Sequence, residues 1–503
     1  MFRSERVEMS RTKKEPPALD RPAMLGLLAL SLGVALIVID MSIVNLILPQ
    51  MARDLDLSFS GLQYVSALFS LAAAAVTIAA GDVADRVGHR NAYVAGLSVF
   101  LVGSAAAALA PSAAVMLVAR VVQGVGGGVV MTAALGTINA TYAGPARALA
   151  FGLYGMTFAV SGAIGPLLGA ALAEAVNWRW AFWVNLALGP VALAGVIKLI
   201  PVAARDAVTR RADVLGTVLV SAAITTLTYA LVQGDELALV PAAALFAAFV
   251  FVQRAKIRRA LPVILDPALM RVRSFTIGSV ALLIVGVGEF GLLFLLPLEL
   301  QAGEGLSPIQ AGLVLLPVSL GAFLAFPLVQ MLAARRGPHA AVQVGLVLEA
   351  VGLVGVAVAV SSTQPLWLIP GLAVYGVGVG AAAAMLSAIV LADVPAAHNG
   401  LASGISAAVR GLGGSLGVAL LGLAFTTALA GTSEALADRP VQTVSALRGQ
   451  GQDELVARAG DALAHGIAAA ALVAAAFLIV GALVLRIQPR SDAASYEAAP
   501  AAA

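Results

Sequence analysis

Runs of roughly 20 apolar residues recur along nearly the whole chain, and a run of that length crosses the hydrocarbon core of a bilayer as a helix. Of the 503 residues, 60% are hydrophobic and only 11% are charged, and the mean hydropathy is +0.97. One aqueous core cannot bury so much apolar surface. The membrane is therefore the solvent of this chain, and the sequence predicts an all-α membrane protein.

Fourteen such runs are present, and their flanking charges indicate an orientation. With both termini placed in the cytoplasm, 23 of the 30 Lys and Arg residues fall on inner loops and tails, five on outer loops and two inside spans. Basic residues are retained on the cytoplasmic side of a membrane. We therefore expect a multi-pass protein of the cell inner membrane with both termini cytoplasmic. The first apolar run is too long for a signal peptide, so we expect it to remain as the first spanning helix.

The basic cytoplasmic stretches 205–211 and 254–273 bracket two spans and leave six spans on each side. This pattern predicts two six-helix halves joined by a two-helix insert. The expected organisation is a cytoplasmic tail (1–22), a six-helix half (23–200), the insert with flanking cytoplasmic loops (201–272), a second six-helix half (273–487) and a cytoplasmic tail (488–503). Within the second half, a low-complexity outer loop at 429–463 is expected to shield the outer mouth.

The two halves also show a weak internal repeat, as expected for a transporter built around a central site. A short polar segment precedes the second helix of each half, beginning at Ser60 and at Ser307, and each follows a proline that ends a span. The fifth helices share a glycine spacing, Gly152 to Gly165 and Gly404 to Gly417. Chance matches are easy in a chain with 51 glycines, so the repeat alone leaves the question open.

Ionisable residues inside the spans are the first candidates for function, because a charge buried in hydrocarbon costs several kcal/mol. Asp40 in the first span and Arg120 in the fourth lie at similar depth below the outer surface when counted along the helices. An acid beside an arginine in a partly wet cavity can couple a proton to a conformational change. The alternative is a structural ion pair that holds the two helices together.

Glu289 lies near the midplane of the ninth span. A lone carboxylate there is either protonated or available to a cation. The neighbouring Gly286, Gly288 and Gly291 favour a cavity wall, although helix packing alone also accounts for them. Two further charges lie inside spans, Glu349 and Arg410, and for these the sequence suggests only pairing with each other or a role in packing.

Between the second and third spans the chain reads GDVADRVGHR, residues 81–90. This segment resembles the cytoplasmic-loop signature of the major facilitator superfamily, G-x-L-A-D-R-x-G-R-K. The resemblance is carried by Gly81, Ala84, Asp85, Arg86, Gly88 and Arg90. It implies a latch between the halves, with the glycines allowing a tight turn and close packing and Asp85 pairing with an arginine across the seam. His89 replaces a basic residue and makes the local charge depend on pH.

Three further segments are similar to motifs of the fourteen-helix drug:proton antiporters of that superfamily. The first span reads IDMSIVNLILP, with Asp40 and Asn45, and the fourth reads RVVQGVGGG, with Arg120 and Gln123. The fifth resembles the antiporter motif G-x-x-x-G-P-x-x-G-G through Gly162, Gly165, Pro166 and Gly169. The proline and glycines let this helix bend and pack against its partner across the halves.

The resemblance implies a proton-coupled antiporter that exports small amphipathic drugs or antibiotics. Proton coupling is then assigned to Asp40, Arg120 and Glu289, and the substrate cavity to Asp40, Asn45, Gln123 and Glu289. We expect a monomer in the lipid bilayer whose ligands are protons and a small molecule. Two alternatives stay open, a proton-driven exporter of one lipid or metabolite and a sensor that does not transport.

Composition argues against other classes of protein. The net charge of +3 does not suggest a nucleic-acid partner. The chain has no cysteine, and its four histidines lack the spacing of metal ligands, so we expect no metal or other cofactor. No lysine follows a glycine as in a phosphate-binding loop, and no loop carries a catalytic constellation, so we expect neither an ATP-driven pump nor an enzyme.

Overall fold

The computed structural model describes residues 21–142, 144–201, 213–259, 261–264, 267–360, 362, 364–394, 399–429 and 433–486. In this part of the chain, 14 helices are long and apolar enough to cross a membrane. The predicted number of spans is therefore confirmed. The two tails lie almost entirely outside the described residues, and the boundaries of the tails, halves and insert stay predictions.

The membrane helices are numbered α1–α14 in chain order. They are α1 (Arg21–Asp54), α2 (Phe59–Val87), α3 (His89–Ala108), α4 (Ala113–Thr141), α5 (Gly144–Ala175), α6 (Trp180–Leu199), α7 (Val214–Gln233), α8 (Leu239–Arg258), α9 (Arg273–Leu298), α10 (Pro308–Arg336), α11 (Pro338–Ala359), α12 (Leu368–Leu391), α13 (Asn399–Ala428) and α14 (Asp453–Arg486). The end of the bundle where α1 ends and α2 begins is called the outer end, following the distribution of Lys and Arg.

The packing of the helices repeats between the halves. In the first half, α1 packs on α5 and α6, α2 on α4, and α3 on α4 and α6. In the second half, α9 packs on α13 and α14, α10 on α12, and α11 on α12 and α14. The halves meet where the second helix of each packs on the fifth helix of the other, α2 on α13 and α10 on α5. Two structurally equivalent six-helix units are therefore present.

Equivalent residues mark equivalent junctions in the two units. Gly88 and Gly337 join the second and third helices of their halves, with φ of 90° and 86°. Ser58 and Ser307 each cap the N-terminus of the second helix by accepting a backbone hydrogen bond. The sequence alignment of Ser60 with Ser307 is therefore two residues out of register. That alignment matched similar residue types, whereas the backbone geometry shows which serine caps each helix.

The outer end between α13 and α14 is more ordered than a loop of low complexity. Two short helices, Glu434–Asp438 and Pro440–Gly449, precede α14, which begins well before residue 464. Gln442 donates to the carbonyls of Ala52 and Leu57 at 2.8 and 2.9 Å, and Arg439 contacts Asp56 at 2.5 Å. The sequence did not predict these helices, because their many small and charged residues give no hydrophobic periodicity. The segment covers the outer end of α1, and its role as a shield of the outer mouth stays a prediction.

The insert is a hairpin of α7 and α8 beside α2 and α13. Asp213 caps α7 through the N–H of Gly216 at 2.8 Å and pairs with Lys256 of α8. Burial acts to raise the pKa of Asp213, but hydrogen bonds from Lys256, Gln253 and Gly216 outweigh it and lower that pKa below its usual value. The ionised carboxylate therefore fastens the inner ends of the two helices together.

Candidate functional site

A buried polar cluster in the first half centres on the carboxylate of Asp40 in α1. One oxygen lies 2.6 Å from Nη1 of Arg120 in α4. The other accepts hydrogen bonds from Gln123 at 3.0 Å and from Asn185 in α6 at 2.9 Å. Gln123 and Asn185 also donate to Oγ of Ser104 in α3, at 2.9 and 3.2 Å. Asp40 and Arg120 therefore meet, within a network contributed by four helices.

This cluster is closed to solvent and its polar groups are partnered. The five side chains are at most 2% exposed. The guanidinium of Arg120 also donates through Nε to the carbonyl of Val65 at 3.0 Å, and its Cζ lies 4.6 Å from the ring centroid of Phe69. A charge in the membrane interior persists only when it is paired and hydrogen-bonded. The network supplies both for an ionised Asp40.

A narrow cleft lies beside this cluster, between the two halves. It is lined by Met41, Asn45, Ser66, Phe69, Ser70, Arg120, Phe290, Gly414 and Val418. Asn45 lies on the wall of this cleft, where its Oδ1 accepts a hydrogen bond from Ser66 at 3.0 Å, and its contact with substrate stays a prediction. Asp40 and Gln123 were predicted for the same wall but do not line the cleft. Both are hydrogen-bonded to Arg120, which does.

In the second half, Glu289 of α9 is not a lone carboxylate. Its Oε2 lies 2.7 Å from Nη2 of Arg410 in α13. The expectation of an unpaired Glu289 is wrong because α9 and α13 pack together, and one sequence does not show which helices face each other. The glycines beside Glu289 serve this packing. A Cβ at Gly286 would lie 2.8 Å from the carbonyl oxygen of Arg410, and one at Gly291 would lie 2.6 Å from that of Gly417.

Glu349 of α11 completes a second charged cluster. Its side chain is 0% exposed, and neither carboxylate oxygen has a hydrogen-bond partner among the described residues. It lies close enough to Glu289 and Arg410 to interact electrostatically with both. Tyr375 of α12 donates from its hydroxyl to the backbone carbonyl of Glu289 at 3.0 Å. The pairing of Glu349 with Arg410 that the sequence suggested is therefore replaced by a group of two carboxyls and one guanidinium.

Asp40 and Glu289 occupy equivalent positions in the first helices of their halves. The number of residues that separates Asp40 from Glu289 also separates Gly88 from Gly337. Since those two glycines make the same junction, the offset aligns the first three helices of the halves. Each half therefore presents one carboxylate at the same place in its first helix.

Comparison with known proteins agrees with this architecture. A family model described as the Major Facilitator Superfamily matches residues 30–418. The chain belongs to this superfamily. It is 31% identical to the multidrug resistance protein Stp of Mycobacterium tuberculosis (strain ATCC 25618 / H37Rv) over 433 residues, which are 84% of this chain and 80% of that protein. It is 30% identical to the tetracenomycin C resistance and export protein of Streptomyces glaucescens, over 79% of this chain and 75% of that protein.

A solved structure of the same fold is that of a bacterial homologue of the human lysosomal transporter Spinster, in an inward-facing and occupied conformation. The TM-score is 0.67 with 17% identity, over 92% of this chain and 96% of the other. Membership of this superfamily places the chain with membrane transporters rather than enzymes.

The superfamily's loop signature is mostly helical here. Gly81 lies inside α2 rather than in a tight turn, and the turn is made by Gly88. Asp85 lies 3.3 Å from His89 within the same half. Arg90 contacts the carbonyl of Ile197 in α6, also in the same half. These contacts bind α3 to its own half, and the predicted pairing of Asp85 across the seam is not among those of the described residues. Arg86 is not a free cation, because it also takes part in a polar or electrostatic contact.

Two glycines of the antiporter segment face the first half. A Cβ at Gly165 would meet Oγ of Ser42 at 1.9 Å, and one at Gly169 would meet Ile43 at 3.2 Å. Both contacts are with α1, which carries Asp40. The expectation that these glycines pack across the halves is therefore wrong for this pair, because they lie on the face of α5 that is turned to its own half.

The other two residues of the segment face the second half. The carbonyl oxygen of Gly162 accepts a hydrogen bond from Ser319 of α10 at 3.3 Å. The carbonyl oxygen of Pro166 lies 3.7 Å from the position of a Cβ on Gly312 of α10. The segment thus touches both the helix of Asp40 and the neighbouring half.

The sequence did not assign a role to Ser104, Asn185, Tyr375 or Phe69. Asn185 ends the segment NWRWAFWVN, which resembles the drug antiporter group, and Tyr375 begins the glycine string YGVGVG. Neither residue type is rare in a span, so only the positions of the helices reveal their contacts. Arg410 and Glu349 did carry a signal, as charges inside spans.

Proposed function

We propose that this member of the superfamily is a proton-coupled antiporter that exports small amphipathic drugs or antibiotics across the cytoplasmic membrane. The observation that carries the proposal is the buried carboxylate of Asp40, which is joined to the cleft by Arg120. A carboxylate at that depth is a functional group by default. The names of the two relatives, a multidrug resistance protein and an antibiotic export protein, support the same substrate class.

The cleft suits an amphipathic molecule. Met41, Phe69, Phe290 and Val418 offer apolar and aromatic surface, while Asn45 and neighbouring serines offer hydrogen bonds. Pockets that bind small molecules combine a mostly apolar wall with a few placed polar groups. This lining supports the proposed substrate class.

The proton acts on the pair of Asp40 and Arg120. When Asp40 is ionised, its oxygens hold Arg120, Gln123 and Asn185 in place. A proton on Asp40 removes the negative charge, and the buried guanidinium loses its counter-ion beside the cleft. The resulting cost favours a different arrangement of α1 and α4, and that is how one proton biases a two-state equilibrium.

The contacts between the halves support a state that is closed at the outer end. Gln63 donates to the carbonyl of Val418 at 3.0 Å, and Glu174 accepts from Ser307 at 2.8 Å. These contacts and those of Gln442 lie at the outer end of the bundle, above the cleft. A cytoplasmic substrate reaches such a cleft from the inner side, as an exporter requires.

The experiment is efflux of a fluorescent amphipathic dye from proteoliposomes that contain the purified chain, with and without an imposed pH gradient. We expect movement of dye against its own gradient only when the pH gradient is present, together with movement of protons in the opposite direction. Dye movement that ignores the pH gradient would reject proton coupling. Absence of all transport over a panel of varied compounds, with specific binding retained, would favour a sensor.

A further inference from the structure

A titratable carboxyl occupies a slot that the first half fills with a phenyl ring. A Cβ at Gly126 of α4 would lie 2.4 Å from the backbone nitrogen of Phe100 in α3. A Cβ at Gly378 of α12 would lie 2.4 Å from the backbone nitrogen of Glu349 in α11. The third and fourth helices of each half thus cross at these glycines, and Phe100 and Glu349 are equivalent. Both side chains are 0% exposed.

The groups that face Glu349 come from three helices. They are Glu289 of α9, Arg410 of α13 and Tyr375 of α12. The other two helices packed on α11 are α10 and α14. Over the depth of the cluster these two helices carry no titratable side chain, since α10 has its basic residues at the inner end and residues 466–485 of α14 are uncharged.

This inventory fixes the charge of the cluster. If both carboxyls were ionised, two negative charges would share one guanidinium, and Glu349 would have no hydrogen-bond donor. An uncompensated charge in the membrane interior costs several kcal/mol. If Glu349 is neutral, what remains is the single ion pair between Glu289 and Arg410, whose atoms are 2.7 Å apart. One proton on Glu349 would therefore leave the cluster electrically balanced.

We propose that Glu349 is a proton-binding site of the second half, which holds one proton while Arg410 is paired with Glu289. When that proton leaves Glu349 for water in the cleft, Arg410 turns to the new carboxylate, and Glu289, now without its partner, takes up another proton from water. One proton is released and one is bound, so the cluster holds one proton before and after the exchange. When release and uptake face opposite sides of the membrane, one proton crosses per cycle. Its use in transport rests on the proposed proton-coupled export.

Arg410 has the freedom that this exchange needs. Its side chain is 31% exposed, whereas that of Arg120 is 2% exposed. Gly414, one helical turn further along α13, lines the cleft. Arg120 makes three hydrogen bonds, to Asp40, Gln123 and the carbonyl of Val65. Within its own cluster Arg410 makes one, to Glu289. Arg410 is thus the most exposed of the four described side chains of this cluster, and it lies one helical turn from a residue of the cleft wall.

The direct test is infrared spectroscopy of the purified chain in lipid at neutral pH. A protonated carboxyl has a carbonyl stretching band that a carboxylate lacks. We expect the wild-type chain to show such a band. Because Glu299 is also a buried carboxyl, at 2% exposed, and absorbs in the same region when protonated, Glu349→Gln should remove one component of the band and Glu349→Asp should shift that component. The matched control Glu454→Gln should leave the band unchanged, because Glu454 is an exposed residue paired with Arg458.

Either of two results overturns the proposal. One is a wild-type spectrum without a protonated-carboxyl band, which needs no variant and so does not depend on how a variant folds. The other is a protonated-carboxyl band whose intensity is the same in Glu349→Gln as in the wild-type chain. Both results stand whatever the chain transports, so failure of this inference is distinguishable from failure of the proposed function.

A second measurement addresses the use of the proton. In proteoliposomes, the ratio of protons to dye molecules is obtained from the pH gradient that just balances a dye gradient. We expect Glu349→Gln to lower that ratio by about one, since a carboxyl holds one proton. Exchange of dye for dye should continue, because it needs no net movement of protons. A ratio that is unchanged in a normally folded Glu349→Gln would show that Glu349 takes no part in coupling.

Discussion

The two halves place a carboxylate at the same position of their first helices and surround it differently. Asp40 accepts hydrogen bonds from Arg120, Gln123 and Asn185 and is sealed from solvent. Glu289 has the half-exposed Arg410 as its partner and a second carboxyl nearby. In the first cluster, an ionised Asp40 has a charge partner and hydrogen-bond donors. In the second cluster, the two carboxyls share one arginine, and the charges balance only when one carboxyl carries a proton. One scaffold thus supports two kinds of proton chemistry.

Part of the difference lies in the third helices. The first half has Phe100 and, one turn later, the polar Ser104, which accepts from both amides of the Asp40 network. The second half has Glu349 in place of Phe100 and the apolar Leu353 in place of Ser104. The polar side chain of the third helix is therefore one turn earlier in the second half. There it lies near Glu289 and Arg410, whereas Ser104 of the first half contacts Gln123 and Asn185. Differences of this kind change which state of a buried acid is favoured.

The largest effect is expected for Asp40→Asn. The change removes the titratable group at nearly constant volume and leaves the buried charge of Arg120 without a counter-ion, so efflux driven by a pH gradient should fall to background. Breaking a buried pair costs about 3–5 kcal/mol, so the amount of protein in the membrane is measured alongside. Asp40→Glu is the control that keeps an acid. Full efflux by Asp40→Asn would remove the first cluster from the coupling mechanism.

Glu289→Gln should be the milder counterpart, because Glu349 can replace the lost partner of Arg410. We expect a loss of roughly threefold to tenfold in efflux, about 0.7–1.4 kcal/mol in transition-state terms. A cationic and a neutral dye should suffer alike, since Glu289 is paired with Arg410 rather than free for substrate. Rates for both dyes are measured in one membrane preparation. A selective loss of the cationic dye would instead place the substrate on Glu289.

Ser104→Ala tests how far the Asp40 network depends on its outer members. The change removes one acceptor for Gln123 and Asn185, and a typical buried hydrogen bond contributes about 1 kcal/mol. We expect efflux to fall by no more than about fivefold, with a displaced pH profile. Ser98→Ala is the control, because Ser98 is exposed on the same helix and bonds to its own helix backbone. An unchanged pH profile would show that Ser104 does not act on Asp40.

The smallest effect is expected for Gln442→Ala, which loosens the outer cover without touching either cluster. Because the chain has no cysteine, a single cysteine at Asn45 reports access to the cleft. Labelling of Asn45→Cys from outside by a membrane-impermeant maleimide should become roughly twofold faster when Gln442 is also changed. The effect is small because the hydrogen bonds of one side chain stabilise the closed outer end by about 1 kcal/mol or less. Gln450→Ala is the control. Equal labelling rates would mean that the segment does not hold the outer end closed.

Sequence alone determined the class of fold and the number of spans, because both depend on local composition. A run of apolar residues long enough to cross the bilayer must do so wherever its neighbours lie. The intramembrane charges could be identified for the same reason, since the membrane makes each of them costly. The predicted proximity of Asp40 and Arg120 followed from depth along two helices, which is also a local count.

Tertiary structure decided which partner each charge has and which way each helix faces. The partner of Glu289 lies 121 residues away, and the contact exists because α9 and α13 pack through glycines at the level of these charges. The equivalence of Glu349 with Phe100 depends on where α11 crosses α12. Residue spacing along the chain does not show where two helices cross. Hydrophobic periodicity cannot orient helices that are apolar on all sides. The rotation of each helix, and hence the chemistry of each cluster, is fixed only when all fourteen pack.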